Sequence, residues 1–463
     1  MRPRGRAVRS LGFQSSNSFR AATVRERLSR LAWDSMRVRL AFDQAGAEVG
    51  LPDSWRAALL EARFAQALGH PEQALDEALA NPIASPPLTE LARGKASAAI
   101  AVCDITRPAP NRIVLPRVAA ALERAGVARE RIRILIATGL HRAATAAELV
   151  EILGPQTPQR YRVDSHNARN EESHARVGST AGGTEVLIDR RFVEADLRVT
   201  LGFIEPHLML GFSGGRKLVA PGLAAERTIK RLHSPLFMRD PRVVEGAFPD
   251  NPLHRELLEI ARLAGHDFIV DVALARDRRI ARVFAGQPEA AHAAGVEFVR
   301  QSTLAPVEDP VDAVITTGGG YPLDLTYYQS IKGLTAASHI LKPGGKMLLL
   351  AGCREGIGSA EFAEVVRRFP DWKSCLEGLD GQPVIIDQWQ LEKLALVARR
   401  AGILWCVPGV PAEDRRHLWG PSFESPQQAV DALAASVPAD ASVAVIPEGP
   451  YVFSQLASNE TSS

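Results

Sequence analysis

Three short apolar runs, each ending in a cluster of polar residues, constrain the fold of this chain more than any other feature. Ala99-Ile100-Ala101-Val102 leads into Asp104-Ile105-Thr106-Arg107-Pro108, and Ile134-Leu135-Ile136-Ala137 leads into Gly139-Leu140-His141. Leu197, Val199 and Leu201 alternate with polar or small residues and lead into Glu205-Pro206-His207. Between the runs lie helical patterns. Val118, Ala121 and Leu122 follow Pro116 at helical spacing, and Thr145-Ala-Ala-Glu148 forms a capping box ahead of Leu149, Ile152 and Leu153, with Gly154 as the stop. Alternation of this kind reads as βα units with a mostly parallel sheet. In such sheets ligands gather outside the carboxyl ends of the strands, so three polar clusters at three ends are expected to converge on one site.

The 463 residues exceed what one compact core usually holds, and the pattern divides accordingly. Residues 202–222, dense in Gly and Pro, read as a long functional loop, and strand and helix patterns continue the first unit to about 305. Glu308-Asp309-Pro310 reads as a boundary. Beyond it Ala313 to Thr317 form a strand ending in Gly318-Gly319-Gly320, followed by a helix from Tyr328 to Ile340 and strands at Met347–Leu350 and Val384–Ile386. The expected fold is α/β: two α/β domains with mostly parallel sheets, one at 37–307 and one at 308–439. The strand candidate Ser442–Ile446 is expected to return to the first domain, completing it at about 440–455.

Composition excludes several classes of function. A net charge of +2 argues against a nucleic-acid or membrane-surface partner. No uncharged apolar run of about 18 residues is present, so no membrane span is expected. Cys103, Cys353, Cys375 and Cys406 lie far apart with no CxxC pair, which fits a reducing, cytoplasmic setting. Residues 1–36 differ from the rest, with arginines at 2, 4, 6, 9, 20, 25, 27 and 30 against only Glu26 and Asp34 up to residue 35. They read as a disordered extension or a start placed too early ahead of Met36, with an organelle transit peptide as the alternative.

His141 and His207 sit at strand ends among apolar neighbours, where a structural and an acid/base role are both open. Imidazole exchanges a proton near neutral pH, and a pair on opposite faces of a substrate suits inversion of a stereocentre. Histidine is nevertheless too weak a base to remove the α-proton of a 2-hydroxy carboxylate. It can take the hydroxyl proton if a hydride acceptor is at hand, so this chemistry requires a cofactor. Gly211-Phe-Ser213-Gly214-Gly215-Arg216-Lys217 resembles a phosphate-cradling loop without being a Walker A motif, since Leu218 stands where Ser or Thr is needed. Its lysine is either solvated or a covalent anchor. His233 is either structural or a metal ligand; His166 and His174, in a polar stretch, read as surface. Gln329 and Lys332 lie one helical turn apart beside Tyr328, and Lys332 can hold a carboxylate as a point charge. Trp389 reads as core or as a lining of the same cleft.

Taken together, Asp-x-Thr-Arg-Pro at 104–108, Gly-Leu-His-Arg at 139–142, Glu-Pro-His-x3-Gly-Phe-Ser-Gly-Gly-x-Lys at 205–217, Pro-Gly at 221–222, His-Ser at 233–234 and Tyr-Gln-x-x-Lys at 328–332 resemble the nickel-pincer nucleotide-dependent lactate racemase family. The resemblance runs from about residue 37 to about 450. It implies an active site in the cleft between the two domains. It also implies a 2-hydroxy-acid racemase or epimerase that carries nickel on a pyridinium-3-thioamide-5-thiocarboxylic acid mononucleotide, loaded through transient contact with cofactor-making enzymes. By motif, Lys217 is the covalent attachment and His233 the protein ligand to the metal. His141 and His207 match the two catalytic histidines. Asp104, Thr106, Arg107, Ser213, Gly214 and Gly215 fall in the cofactor-binding segments. Tyr328, Gln329, Lys332 and Trp389 fall at the substrate. The chain departs from the lactate-specific pattern at Leu208-Met209-Leu210, where aromatic residues are usual, and this implies a lactate-like or larger 2-hydroxy acid. Two other readings are a degenerate carrier of the same nucleotide and a nicotinamide-dependent dehydrogenase; the chain has no GxGxxG fingerprint for the latter.

Overall fold

The computed structural model describes residues 36–457, so the expectation for residues 1–35 lies outside the described residues. Two six-stranded sheets organise the chain. In the first, the spatial order is Ile280–Gly286, Phe268–Leu274, Leu197–Phe203, Ala98–Cys103, Ile132–Ala137, Arg162–Ser165, all parallel except the antiparallel Ile280–Gly286 edge. All six residues of Ala98–Cys103 are buried, as a central strand covered on both faces requires. Chain order reverses between Ala98–Cys103 and Leu197–Phe203. That reversal opens a crevice at their carboxyl ends, where Asp104 and Glu205 emerge.

The second sheet is wholly parallel: Ser422–Phe423, Gly402–Cys406, Leu341–Leu350, Val311–Thr317, Ser442–Ile446, Arg56–Leu59. This corrects the expected division of the chain. Ser442–Ile446 inserts between Val311–Thr317 and Arg56–Leu59 rather than returning to the first sheet. The residues that cross over are the N-terminal ones: Val38, Leu40, Val49, Leu51 and Trp55 share a core with Ala313, Ile315 and Leu348. The run Val443-Ala444-Val445-Ile446 is buried throughout and needs a neighbour on each edge. Which neighbours it finds is decided by contacts hundreds of residues away.

Local rules hold in detail. Thr145 and Glu148 make both bonds of the capping box. The helix after Ala98–Cys103 begins at Asn111 and carries Pro116 inside it, earlier than the spacing alone indicated. Val384–Ile386 is not a strand. Its side chains instead divide, with Val384 and Ile386 packing against the first domain's core and Ile385 against the second's. His166 and His174 are buried rather than at the surface, with His166 bonded to Asp189 and to the Ala224 carbonyl.

Close packing brings the helix Tyr327–Ala337 onto the second sheet at Gly333, where a Cβ would fall 2.0 Å from the Thr317 carbonyl oxygen. Any larger residue would push out the helix that carries Tyr328, Gln329 and Lys332. A polar seam then joins the domains beside the cleft. Arg239 donates to Glu392 at 3.0 Å, Lys393 Nζ donates to the Met238 and Val243 carbonyls, and Thr335 donates to Glu245 at 2.7 Å. Removing one partner of such a buried charged pair costs about 3–5 kcal/mol, so this side of the cleft is firmly held.

Candidate active site

Arg107, His141, His207, Lys217, His233, Tyr328, Gln329, Lys332 and Trp389 line one cavity between the domains. Asp104, Thr106, Ser213 and Gly214 line an adjoining one that shares Arg107, His141 and Lys217. Beyond Lys332 the cleft widens into a lobe of about 590 Å³ lined by Arg278, Leu325, Glu355 and Tyr451, a volume suited to a small-molecule ligand. Gly215 alone among the expected residues faces away: its N–H donates to Asp271 at 2.7 Å, behind the cavity wall.

The two histidines are held in opposite senses. His141 Nδ1 lies 2.7 Å from Asp104 Oδ2, while Asp104 Oδ1 accepts from Thr106 Oγ1 at 2.7 Å. Burial works to raise the Asp104 pKa, but the hydrogen bonds from His141 and Thr106 and the charges of His141 and Arg107 outweigh it. The carboxylate therefore stays ionised and keeps the His141 proton on Nδ1, leaving Nε2 with its lone pair. His207 Nδ1, by contrast, accepts from the N–H groups of Met209 and Leu210 at 3.3 Å each, which places its proton on Nε2. Burial, then the charges of Lys217, Lys332, Arg107 and Arg216, push the His207 pKa well below its ordinary value. One ring presents an acceptor and the other a donor.

Residues 202–222, expected as a long functional loop, are closely packed. Pro206–His207 pairs with Gly211–Phe212, and Gly215–Leu218 forms a single tight turn. Buried Arg216 organises the turn by donating to the carbonyls of Leu210, Phe212, Ser213 and Gly214, at 2.9–3.4 Å. Ser213 Oγ donates to the Phe203 carbonyl and accepts from the Glu205 N–H. Gly214 is required: at φ +87° a Cβ would sit 2.6 Å from Asp271 Oδ2 and 2.9 Å from Ile204. Lys217 is thereby aimed into the cleft, and burial, then Arg107, drive its pKa well down against the opposing pull of Glu205. Lys217 lines the cleft and is largely withdrawn from solvent, a placement compatible with a covalent link.

His233 is half-buried beside the Trp389 ring, with 4.4 Å between centroids, and its Nδ1 donates to the Ile229 carbonyl at 2.8 Å. Burial pushes its pKa down to about 4, so the imidazole is neutral with Nε2 free to ligate. Among the described residues no group of three or more His, Cys, Asp or Glu is placed to hold a metal ion. A metal at His233 would thus take its other ligands from a bound group, and Lys217, in the same cavity, is the amine that would carry one. The donor set fits a metal held on a lysine-linked nucleotide.

On the opposite wall, burial and Arg107 lower the Lys332 pKa to about 7, with Glu205 and Glu245 pulling it up. Gln329 Oε1 is buried without a partner among the described residues, a polar group left for a ligand. Trp389 Nε1 donates to the Tyr328 hydroxyl at 3.0 Å. Two groups that sequence reasoning left out of the site also face it. Glu205 belongs to the recognised Glu-Pro-His run but was given no role, and Asp387 carries no sequence signal for its orientation.

An interdomain cleft that gathers two differently engaged histidines, Lys217, Arg107 and Lys332 has the make-up of an enzyme active site. Residues 42–246 match the lactate racemase N-terminal domain and residues 307–453 match the lactate racemase C-terminal domain. The chain belongs to the lactate racemase family, and it is a racemase. It is 35% identical over 381 residues to a lactate racemase from Lactiplantibacillus plantarum, covering 82% of this chain and 89% of that one. A lactate racemase from Thermoanaerobacterium thermosaccharolyticum is 34% identical over 386 residues, covering 82% and 90%. The solved structure of the lactate racemase apoprotein from T. thermosaccharolyticum superposes with a TM-score of 0.86 at 31% identity, over 91% of this chain and all of that one. A solved structure from Thermotoga maritima, at TM-score 0.62 and 18% identity over 86% of this chain and all of that one, shares the fold.

Proposed function

We propose that this racemase inverts the C2 centre of a 2-hydroxy acid, with His141 and His207 exchanging the hydroxyl proton and a nickel-pincer nucleotide attached to Lys217 and ligated by His233. The observation that carries the reading is the opposite engagement of the two imidazoles, Nδ1 to a carboxylate in His141 and Nδ1 to backbone N–H groups in His207. Arg107, Gln329 and Lys332 hold the substrate carboxylate, which fixes the carbinol between the histidines. The nucleotide, when bound, supplies reversible hydride acceptance from the carbinol carbon, so that the substrate passes through a planar 2-keto acid. His141 Nε2 takes the hydroxyl proton from one antipode, with Asp104 stabilising the imidazolium that results. His207 serves the other face: it must first bind a second proton, after which its Nε2–H can pass to the alkoxide of the inverted product and leave the ring neutral. Proton exchange with solvent and His141 restores both rings between turnovers.

The relatives are named for lactate; here the apolar wall Leu208, Met209 and Leu210 beside Trp389 supports a lactate-like or larger substrate side chain. The four cysteines are buried free thiols, which supports a reducing, cytoplasmic setting, and no helix among the described residues is long and apolar enough to cross a membrane. Loading of Lys217 calls for transient contact with cofactor-making enzymes.

Racemisation in deuterium oxide, followed by mass spectrometry and chiral chromatography, tests the mechanism. Hydride return leaves protium at C2 of the inverted product. Deuterium at C2 after a single inversion would mean α-proton abstraction and would overturn the proposal.

A further inference from the structure

Asp387 occupies the N-cap of the helix Gln388–Ala398, a position where aspartate ordinarily has extended backbone and accepts a bond from a first-turn N–H. Here it does neither. Its backbone is left-handed, at φ +68° and ψ −5°, and its side chain makes no capping bond. A residue with a Cβ is strained there, and glycine would be relaxed. The carboxyl turns instead into the cleft, onto the cavity lined by His141, His207 and Trp389. It accepts from Ser359 Oγ at 2.7 Å, and the Tyr328 hydroxyl lies within hydrogen-bonding reach of it. Tyr328 in turn accepts from Trp389 Nε1 at 3.0 Å. Serine O–H thus runs to the carboxylate, while the phenol that faces it takes the indole N–H, three separate stretches of the second domain meeting at one point. Trp389 stands at the end of the relay, against the ring of His233.

We propose that Asp387 is a positioning residue that, through Tyr328, fixes the indole of Trp389 as the wall against which the substrate side chain is set. The strained backbone and the forgone helix cap are what aiming the carboxyl into the cleft costs locally. The kinetic side of this inference rests on the racemase reading above; the anchoring side does not.

Asp387→Gly separates the possibilities because it relaxes the backbone while removing the carboxyl. On the unloaded chain, its Tm is expected to equal or exceed the parent's, while the near-ultraviolet circular dichroism changes in the same sense as in Trp389→Phe. On the nickel-loaded enzyme, kcat/KM for 2-hydroxy acids is expected to fall about tenfold or more, since a wall displaced by about 1 Å is felt strongly at the reacting centre. Asp387→Asn, which keeps an acceptor for Tyr328, is expected to restore most of both signals. A glycine variant with the parent's near-ultraviolet spectrum and kinetics would overturn the inference. A loaded parent that inverts no 2-hydroxy acid would defeat the racemisation chemistry instead, and the near-ultraviolet comparison would still decide the anchoring.

Discussion

Replacing Asp104 by Asn keeps the size of the side chain and removes the charge that sets His141. In the parent, the 2.7 Å contact from Nδ1 to the carboxylate both fixes the tautomer and stabilises the protonated ring. A charge-assisted hydrogen bond of this type contributes about 1.5–3 kcal/mol. His141 is half exposed, so the lower part of that range applies to the lost stabilisation. The asparagine amide also donates toward Nδ1 and favours the tautomer whose Nε2 carries a proton and cannot act as a base. Restoring the working tautomer costs about as much again. The sum is about 3–4 kcal/mol, or about 10²–10³-fold in kcat. The assay is the initial rate of inversion per bound nickel, by chiral chromatography from each antipode, with nickel content and Tm measured alongside. The loss is expected in kcat at unchanged nickel occupancy. A variant within threefold of the parent would refute the assignment of His141 as a base oriented by Asp104.

Gly214→Ala is expected to destabilise the fold by about 2–4 kcal/mol in urea, through the left-handed backbone and the contact with Asp271; an unchanged midpoint would contradict the packing described. Burial raises the Asp271 pKa to about 7, so the folded state holds a proton that the unfolded chain releases near pH 4. Stability is therefore expected to fall as pH rises through about 4–7. Asp271→Asn, neutral throughout, should flatten that slope in urea titrations at pH 5 and pH 8, and an equal slope would refute the buried carboxyl's role. Lys332, with its pKa brought down to about 7, loses charge as pH rises past that value. KM for the anionic substrate is expected to climb between pH 6 and 8, and Lys332→Arg to flatten the climb.

The first sheet was legible because its central strands are sequence-local apolar runs whose carboxyl ends carry the chemistry; Asp104, His141 and His207 meet for that reason alone. The N-terminal strand Arg56–Leu59 was not, since its register beside Ser442–Ile446 is set by a partner almost four hundred residues away. Val384–Ile386 has a strand's composition, yet its side chains are divided between two cores that only the assembled domains create. His166 and His174 lie among polar residues in sequence; His166 is drawn in by Asp189 and Ala224, which arrive later in the chain, and His174 packs edge-on against its ring. Asp387 shows the same limit within the site. Aspartate before a helix reads as a cap, and nothing local indicates that Ser359 and Tyr328 will draw the carboxyl away.

The most direct test of the central claim is the intact mass and nickel content of the chain produced beside cofactor-making enzymes, compared with its Lys217→Ala variant. A mass increment with near-stoichiometric nickel in the parent, both absent in the variant, is the expected result. A parent chain without the increment under those conditions, or a variant that keeps it, would contradict Lys217 as the anchor of a nickel-bearing nucleotide.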